Sequence, residues 1–154
     1  MTKLRRLEDL PAILAGRNVV LANGCFDILH VGHLRYLEGA RALGDTLVVA
    51  VNSDRSVRSI KDPGRPILNE SERVALLSAL RCVDHIVLFD EPDVTRVIEI
   101  LRPAIQAKGT DYTEQTVPER QQVLAYGGKV RITGDPKDHS TRDIIRTIVQ
   151  KQKS

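Results

Sequence analysis

Residues 46–52 read T-L-V-V-A-V-N, a run without charge and without alternation between apolar and polar side chains. A strand with one face in water alternates, whereas an evenly apolar strand is covered on both faces. Such strands belong to parallel sheets, whose crossover connections lay helices over both sides. Similar Val- and Ile-rich runs recur at 18–23 (N-V-V-L-A-N), 85–89 (H-I-V-L-F), 104–108 (A-I-Q-A-K) and 129–133 (K-V-R-I-T). Helical patterns separate them. Leu34, Leu37, Ala40 and Leu43 predict a helix over 31–44, with Gly44 as its stop.

Asn69 and Glu72 have the spacing of a capping box, as do Thr116 and Glu119, which predicts one helix after Asn69 and another running to about Tyr126. A further helix spans 93–102 before Pro103, and Ser140 caps a last one containing Ile144, Ile145 and Ile148. Leu4, Leu7, Leu10 and Leu14 predict a short leading helix broken at Pro11. Gly64 and its flanking prolines predict a flexible loop within 55–67. Alternating strands and helices with right-handed crossovers give a single Rossmann-like domain over 1–154, with a leading helix at 1–16 and a core at 17–150. The expected sheet is doubly wound, five-stranded and parallel, in order 3-2-1-4-5, with helices on both faces. Ligands bind such sheets beyond the carboxyl ends of the strands, where the winding reverses.

Composition narrows the function. Apolar residues make up 42% of the 154-residue chain and charged residues 28%, an ordinary globular balance. The net charge of +3 is interspersed, and two Phe and three Tyr offer few stacking platforms, so nucleic acid is not an expected partner. The longest apolar runs fall far short of the ~20 residues of a bilayer span. No membrane association is expected, and no signal peptide is recognisable at the start. Cys25 and Cys82 are too few for a disulfide framework, and the expected location is the cytoplasm.

The first strand runs into N-G-C-F-D-I-L-H-V-G-H, residues 23–33. In the first turn of a helix, His30 and His33 project to one side, beside free backbone N–H groups and the positive end of the helix dipole. Gly32 lets a bulky group approach the backbone. Phosphate suits this site, although neither a Walker loop nor a G-x-G-x-x-G follows strand one. Two other readings stand beside it: imidazoles bonded to backbone carbonyls in a purely structural turn, or a zinc site completed by Cys25 or Asp27.

G-C-F-D-I-L-H-V-G-H resembles the signature of nucleotidyltransferases in the cytidylyltransferase-like group of the HIGH superfamily. An ordered series extends the resemblance: V-N-S-D (51–54), Lys61, R-P-I (65–67), S-E-R (71–73), L-R-C-V-D (80–84), A-K-G-T-D-Y (107–112) and S-T-R-D-I-I (140–145). A-K-G-x-D-Y and the late S-T-x-x-I-I look most like the adenylyltransferase domain of bacterial ADP-heptose synthesis. The resemblance implies transfer of AMP from ATP to a sugar 1-phosphate, with magnesium bridging the triphosphate and a homodimer as the working form. No protein-borne metal site is implied. The alternatives are a glycerol-3-phosphate or ethanolamine-phosphate cytidylyltransferase, an FAD synthetase, or a nucleotide-binding regulator without turnover. Where glycerol-3-phosphate cytidylyltransferases carry an arginine before the final S-T, this chain has D-P-K-D-H, so Lys137 and Arg142 are the candidate replacement cations.

By this resemblance His30, His33 and Lys61 are catalytic. Gly24, Cys25, Phe26, Asp27, Gly32, Lys108, Gly109, Asp111, Tyr112, Ser140 and Thr141 join the histidines around the nucleotide. Asp54, Lys61, Arg65, Arg73 and Arg81 meet the substrate phosphates. Each has a plainer reading beside it: Asp27 as an Asx-turn residue, Arg73 as a solvated helix cation, Arg81 as a partner of the helix dipole, Gly109 and Asp111 as turn formers, and Ser140 as a cap.

Overall fold

The computed structural model describes residues 2–136 and 140–153. Every residue of the 46–52 run is buried, and the run forms strand β2 (Thr46–Asn52) inside the sheet. Around it lie β1 (Val19–Gly24), β3 (His85–Phe89), β4 (Ile105–Lys108) and β5 (Lys129–Ile132), all parallel, in the order β3-β2-β1-β4-β5. This is the predicted topology, and the winding reverses between β1 and β4.

Alternation along the strands sends side chains to two cores. Leu47, Val49 and Val51 meet Leu37 and Ala40 of α2 (Val31–Arg41) and Val74 and Leu77 of α4 (Glu70–Ser78). Val48 and Ala50 face the opposite core. There they join Leu10 of α1 (Leu10–Ile13), Val97, Ile98 and Leu101 of α5 (Thr95–Leu101), and Val123 of α6 (Arg120–Ala125). Helix α3 (Asp54–Ile60) follows β2, and α7 (Thr141–Lys153) closes the chain. Among the described residues no helix is long and apolar enough to cross a membrane.

Several local expectations are corrected. Leu4 is not helical: residues 3–5 run beside β3, with Arg5 N–H donating to Ile86 O at 2.8 Å. Pro11 does not break the leading helix but sits in the first turn of α1, where its missing N–H costs nothing. Half of the expected 55–67 loop is helix α3, because Ser53 Oγ accepts from Ser56 N–H at 3.1 Å and caps it. Gly44 is not a left-handed cap. A Cβ there would lie 2.5 Å from Asn18 O, so the glycine lets the turn after α2 pass against the start of β1.

The Asn69 and Ser140 caps form as read: Asn69 Oδ1 accepts from Glu72 N–H at 2.9 Å, and Ser140 Oγ from Asp143 N–H at 3.0 Å. The Thr116–Glu119 box does not. Thr116 Oγ1 accepts from Thr113 N–H at 2.8 Å, α6 starts only at Arg120, and the Glu119 side chain turns into the protein.

Candidate active site

At the carboxyl end of β1 the chain enters a tight turn in which Phe26 (φ 53°) and Ile28 (φ 52°) take left-handed backbone conformations. Residues with a Cβ adopt these only when surrounding contacts impose them. The Phe26 ring is buried against Gly24, where a Cβ would lie 3.2 Å from Phe26 Cε2, and it stacks with Tyr36 at 6.5 Å between centroids.

Between these two residues the Asp27 carboxylate is buried. It accepts from Arg65 Nε (2.9 Å), Ile67 N–H (2.7 Å) and Leu68 N–H (2.9 Å). Burial pushes its pKa up, but the two backbone donors and Arg65 outweigh burial and hold it below its ordinary value. The Asp27 carbonyl accepts from Thr141 Oγ1 at the start of α7. One residue therefore anchors loop 61–69 and the last helix to the turn.

The histidines complete the turn. His30 is the N-cap of α2, and its Nδ1 accepts from Gly32 N–H at 3.1 Å. His33 Nδ1 in return accepts from His30 N–H at 3.2 Å, an imidazole version of the reciprocal capping box. The rings stack with centroids 3.8 Å apart. An Nδ1 that accepts a backbone proton puts the proton of a neutral imidazole on Nε2. Burial, reinforced by the His30 ring, lowers the His33 pKa to about 4 against a weaker pull from Asp27, so His33 is neutral at physiological pH. The turn thus presents two hydrogen-bond donors of fixed tautomer at the electropositive end of α2.

A cavity of about 790 Å³ opens over this edge of the sheet. Most of the residues expected at the site line it: Gly24, Cys25, Phe26, Asp27, His30, Gly32, His33, Lys61, Arg65, Lys108, Gly109, Asp111, Tyr112, Ser140 and Thr141. Burial raises the Cys25 thiol pKa against the pull of Lys61, Arg73 and Arg65. Lys108 ends β4, with Nζ 3.9 Å from Glu119 Oε1 and 4.8 Å from the centroid of the Tyr112 ring. Burial lowers the Lys108 pKa, while Glu119 and Asp111 oppose the shift. Arg142 lines the wall with its guanidinium 3.8 Å from Asp62, and Lys137 lies outside the described residues.

Three expected substrate contacts lie elsewhere. Arg73 is fully buried and donates to Cys25 O (2.7 Å), Asn52 O (2.6 Å), Leu68 O (3.0 Å) and Asp54 Oδ1 (2.8 Å). It ties the ends of β1 and β2 to the loop from beneath the cavity, and Asp54 is spent on it. Arg81 is exposed in the turn before β3, at the opposite end of the sheet from the cavity. Conversely, Asn23, Asn52, Glu119 and Gln122 line the cavity without being among the expected site residues. The available signal was strand alternation, which puts Asn23 on the face of Leu21 at the end of the strand.

A Cytidylyltransferase-like family model matches residues 21–148. The chain belongs to the cytidylyltransferase-like family. Its motifs and fold are those of a nucleotidyltransferase, as the resemblance implied. It is 45% identical to the bifunctional protein HldE of Syntrophotalea carbinolica and 44% identical to that of Geobacter sulfurreducens, over 97% and 96% of its own length. These alignments cover 32% and 31% of the two relatives, so the chain spans about a third of their length. Among solved structures, a lipopolysaccharide core biosynthesis protein from Thermoplasma volcanium matches with TM-score 0.64 and 36% identity, over 76% of this chain and 94% of the other. Pantoate-beta-alanine ligase from Francisella tularensis, at TM-score 0.63 and 14% identity over 92% and 69%, shares the cytidylyltransferase-like chain's fold.

Proposed function

We propose that this chain transfers AMP from ATP to a sugar 1-phosphate, specifically D-glycero-β-D-manno-heptose 1-phosphate, giving an ADP-sugar and pyrophosphate. The reading is supported by the reciprocal histidine cap, which puts the proton of each neutral ring on Nε2 at the first turn of α2, where both histidines line the cavity. The acceptor phosphate is already an anion, so no residue has to remove a proton. One of its oxygens attacks the α-phosphorus, a P–O bond forms, the bond to the α–β bridging oxygen breaks, and pyrophosphate leaves with the electron pair. His30 and His33 donate to phosphate oxygens as charge grows on them. Lys61 and Arg65, both on the cavity wall, neutralise the approaching phosphates.

Magnesium fits as a companion of the triphosphate. Asp27 is committed to Arg65 and two N–H groups, and no cluster of three ligating side chains occurs among the described residues. Mg²⁺ brought in with the triphosphate would supply charge neutralisation between the phosphates.

The heptose acceptor is supported by the motif resemblance and by the kinship with HldE and with a protein named for lipopolysaccharide core synthesis. An ATP donor and two unpaired cysteines favour the cytoplasm. A homodimer is supported by α7, which leaves Ile148 and Val149 exposed, and light scattering of an Ile148→Glu variant tests it. The decisive experiment incubates the protein with ATP or CTP and a panel of acceptor phosphates and measures pyrophosphate. Release with ATP and heptose 1-phosphate is expected. Release only with CTP and glycerol 3-phosphate would mean the cytidylyl reaction, and binding of ATP without release under any condition a regulator.

A further inference from the structure

The cavity extends beyond the phosphate site, across the end of β1 to the face covered by α5 and α6. On this face the strand-end positions that continue the rows of Leu21, Ala50 and the buried Gln106 are polar: Asn23, Asn52 and Lys108. Asn52 and Lys108 are engaged within the protein: Asn52 Nδ2 donates to Ser56 Oγ at 2.9 Å, and Lys108 faces Glu119. Asn23 is not matched in the same way. Its Oδ1 is buried and meets no donor among the described residues. A buried acceptor without a donor is costly in a folded protein unless a ligand answers it.

The neighbours of Asn23 define what that ligand is. Glu119 Oε1 accepts from Gln106 Nε2 at 2.7 Å, which fixes the carboxylate at the cavity wall. Gln122 Nε2 donates to Thr95 O at 3.0 Å, pinning its amide between α6 and α5. Lys108 is the cation at this strand end, whereas of the other cavity cations Arg65 is held on Asp27, Arg142 lies by Asp62 and Arg35 pairs with Asp135. The sector is therefore poor in charge for a second phosphate chain and rich in amide and carboxylate oxygens that accept hydroxyl protons. Val94 and Pro118 add apolar surface for C–H faces.

We infer that this sector is the polyol subsite of the acceptor: Asn23 Oδ1 takes a proton from one sugar hydroxyl, while Glu119 and Gln122 read others. The inference rests on the sugar-phosphate reading above and names the residues that set its specificity. A site built to bond a hydroxyl discriminates sharply against acceptors lacking it.

The test is steady-state kinetics with ATP and three acceptors: heptose 1-phosphate, mannose 1-phosphate and glycerol 3-phosphate. Asn23→Ala is expected to raise KM for both sugar phosphates by about tenfold or more, with KM for ATP moving less than twofold. Gln122→Ala, at a half-buried position, is expected to shift the same ratio and carries the test if Asn23→Ala does not fold. Unchanged sugar-phosphate KM, or an equal rise in KM for ATP, overturns the subsite. If the wild type releases no pyrophosphate with any sugar phosphate, the proposed reaction fails by itself. The subsite is then decided by calorimetric titration of mannose 1-phosphate into protein loaded with a non-hydrolysable ATP analogue. Weaker binding to Asn23→Ala than to wild type sustains it, and equal or absent binding overturns it.

Discussion

In the proposed reaction His33 performs two tasks with one ring: Nδ1 holds the His30 backbone, and Nε2 donates its proton to phosphate. His33→Ala is expected to lower kcat by about 10²–10³, the cost of one preorganised donor at a growing charge, with circular dichroism unchanged. Its titration also marks stability. The unfolded ring takes a proton near pH 6.5 and the folded ring only near 4, so the unfolded state binds more protons between those values. Its contribution is complete above pH 6.5 and is lost as pH falls towards 4, with His85, also lowered by burial, acting in the same direction. Urea midpoints between pH 7 and 4 should therefore fall less steeply in His33→Ala than in wild type. Arg73 makes the contrast. On sequence it reads as an exposed helix cation or a phosphate contact, because nothing local reveals that three carbonyls and a carboxylate converge on it from distant segments. Arg73→Met should cost about 3–5 kcal/mol in urea unfolding, the penalty for leaving a buried partner uncompensated.

Helix starts were legible where the cap is a local affair. Asn69 and Ser140 needed only their own next turn. Thr116–Glu119 has the same spacing and failed because Gln106 and Lys108, on a neighbouring strand, draw the Glu119 carboxylate away from its helix. Ser53 shows the reverse: a genuine cap lies between β2 and a segment whose prolines and glycine suggested a loop. The connection from α2 to β2 depends on close approach. Gly44→Ala would drive a Cβ to 2.5 Å from Asn18 O and 2.7 Å from Val20 Cγ2, against backbone and a packed strand. A loss of about 1–3 kcal/mol is expected, read as a lower thermal midpoint.

At the scale of the whole molecule, the parallel sheet and the place of the cleft could be read directly, because evenly apolar strands alternating with helices imply covered faces and a cleft at the strand ends. The far wall of the cleft could not, since only the finished sheet brings Asn23 of β1 beside Glu119 and Gln122 at the start of α6. The Asp27 anchor has a consequence of its own. Its carboxylate grips the backbone of Ile67 and Leu68 while its carbonyl receives Thr141, so the two banks of the cleft share a single mooring. If ATP and a sugar phosphate bind as proposed, a guest that steadies one bank is expected to ready the other. Any factor by which ATP then tightened sugar-phosphate binding would equal the factor by which the sugar phosphate tightened ATP. In Asp27→Asn, paired titrations should show both factors shrinking together towards one.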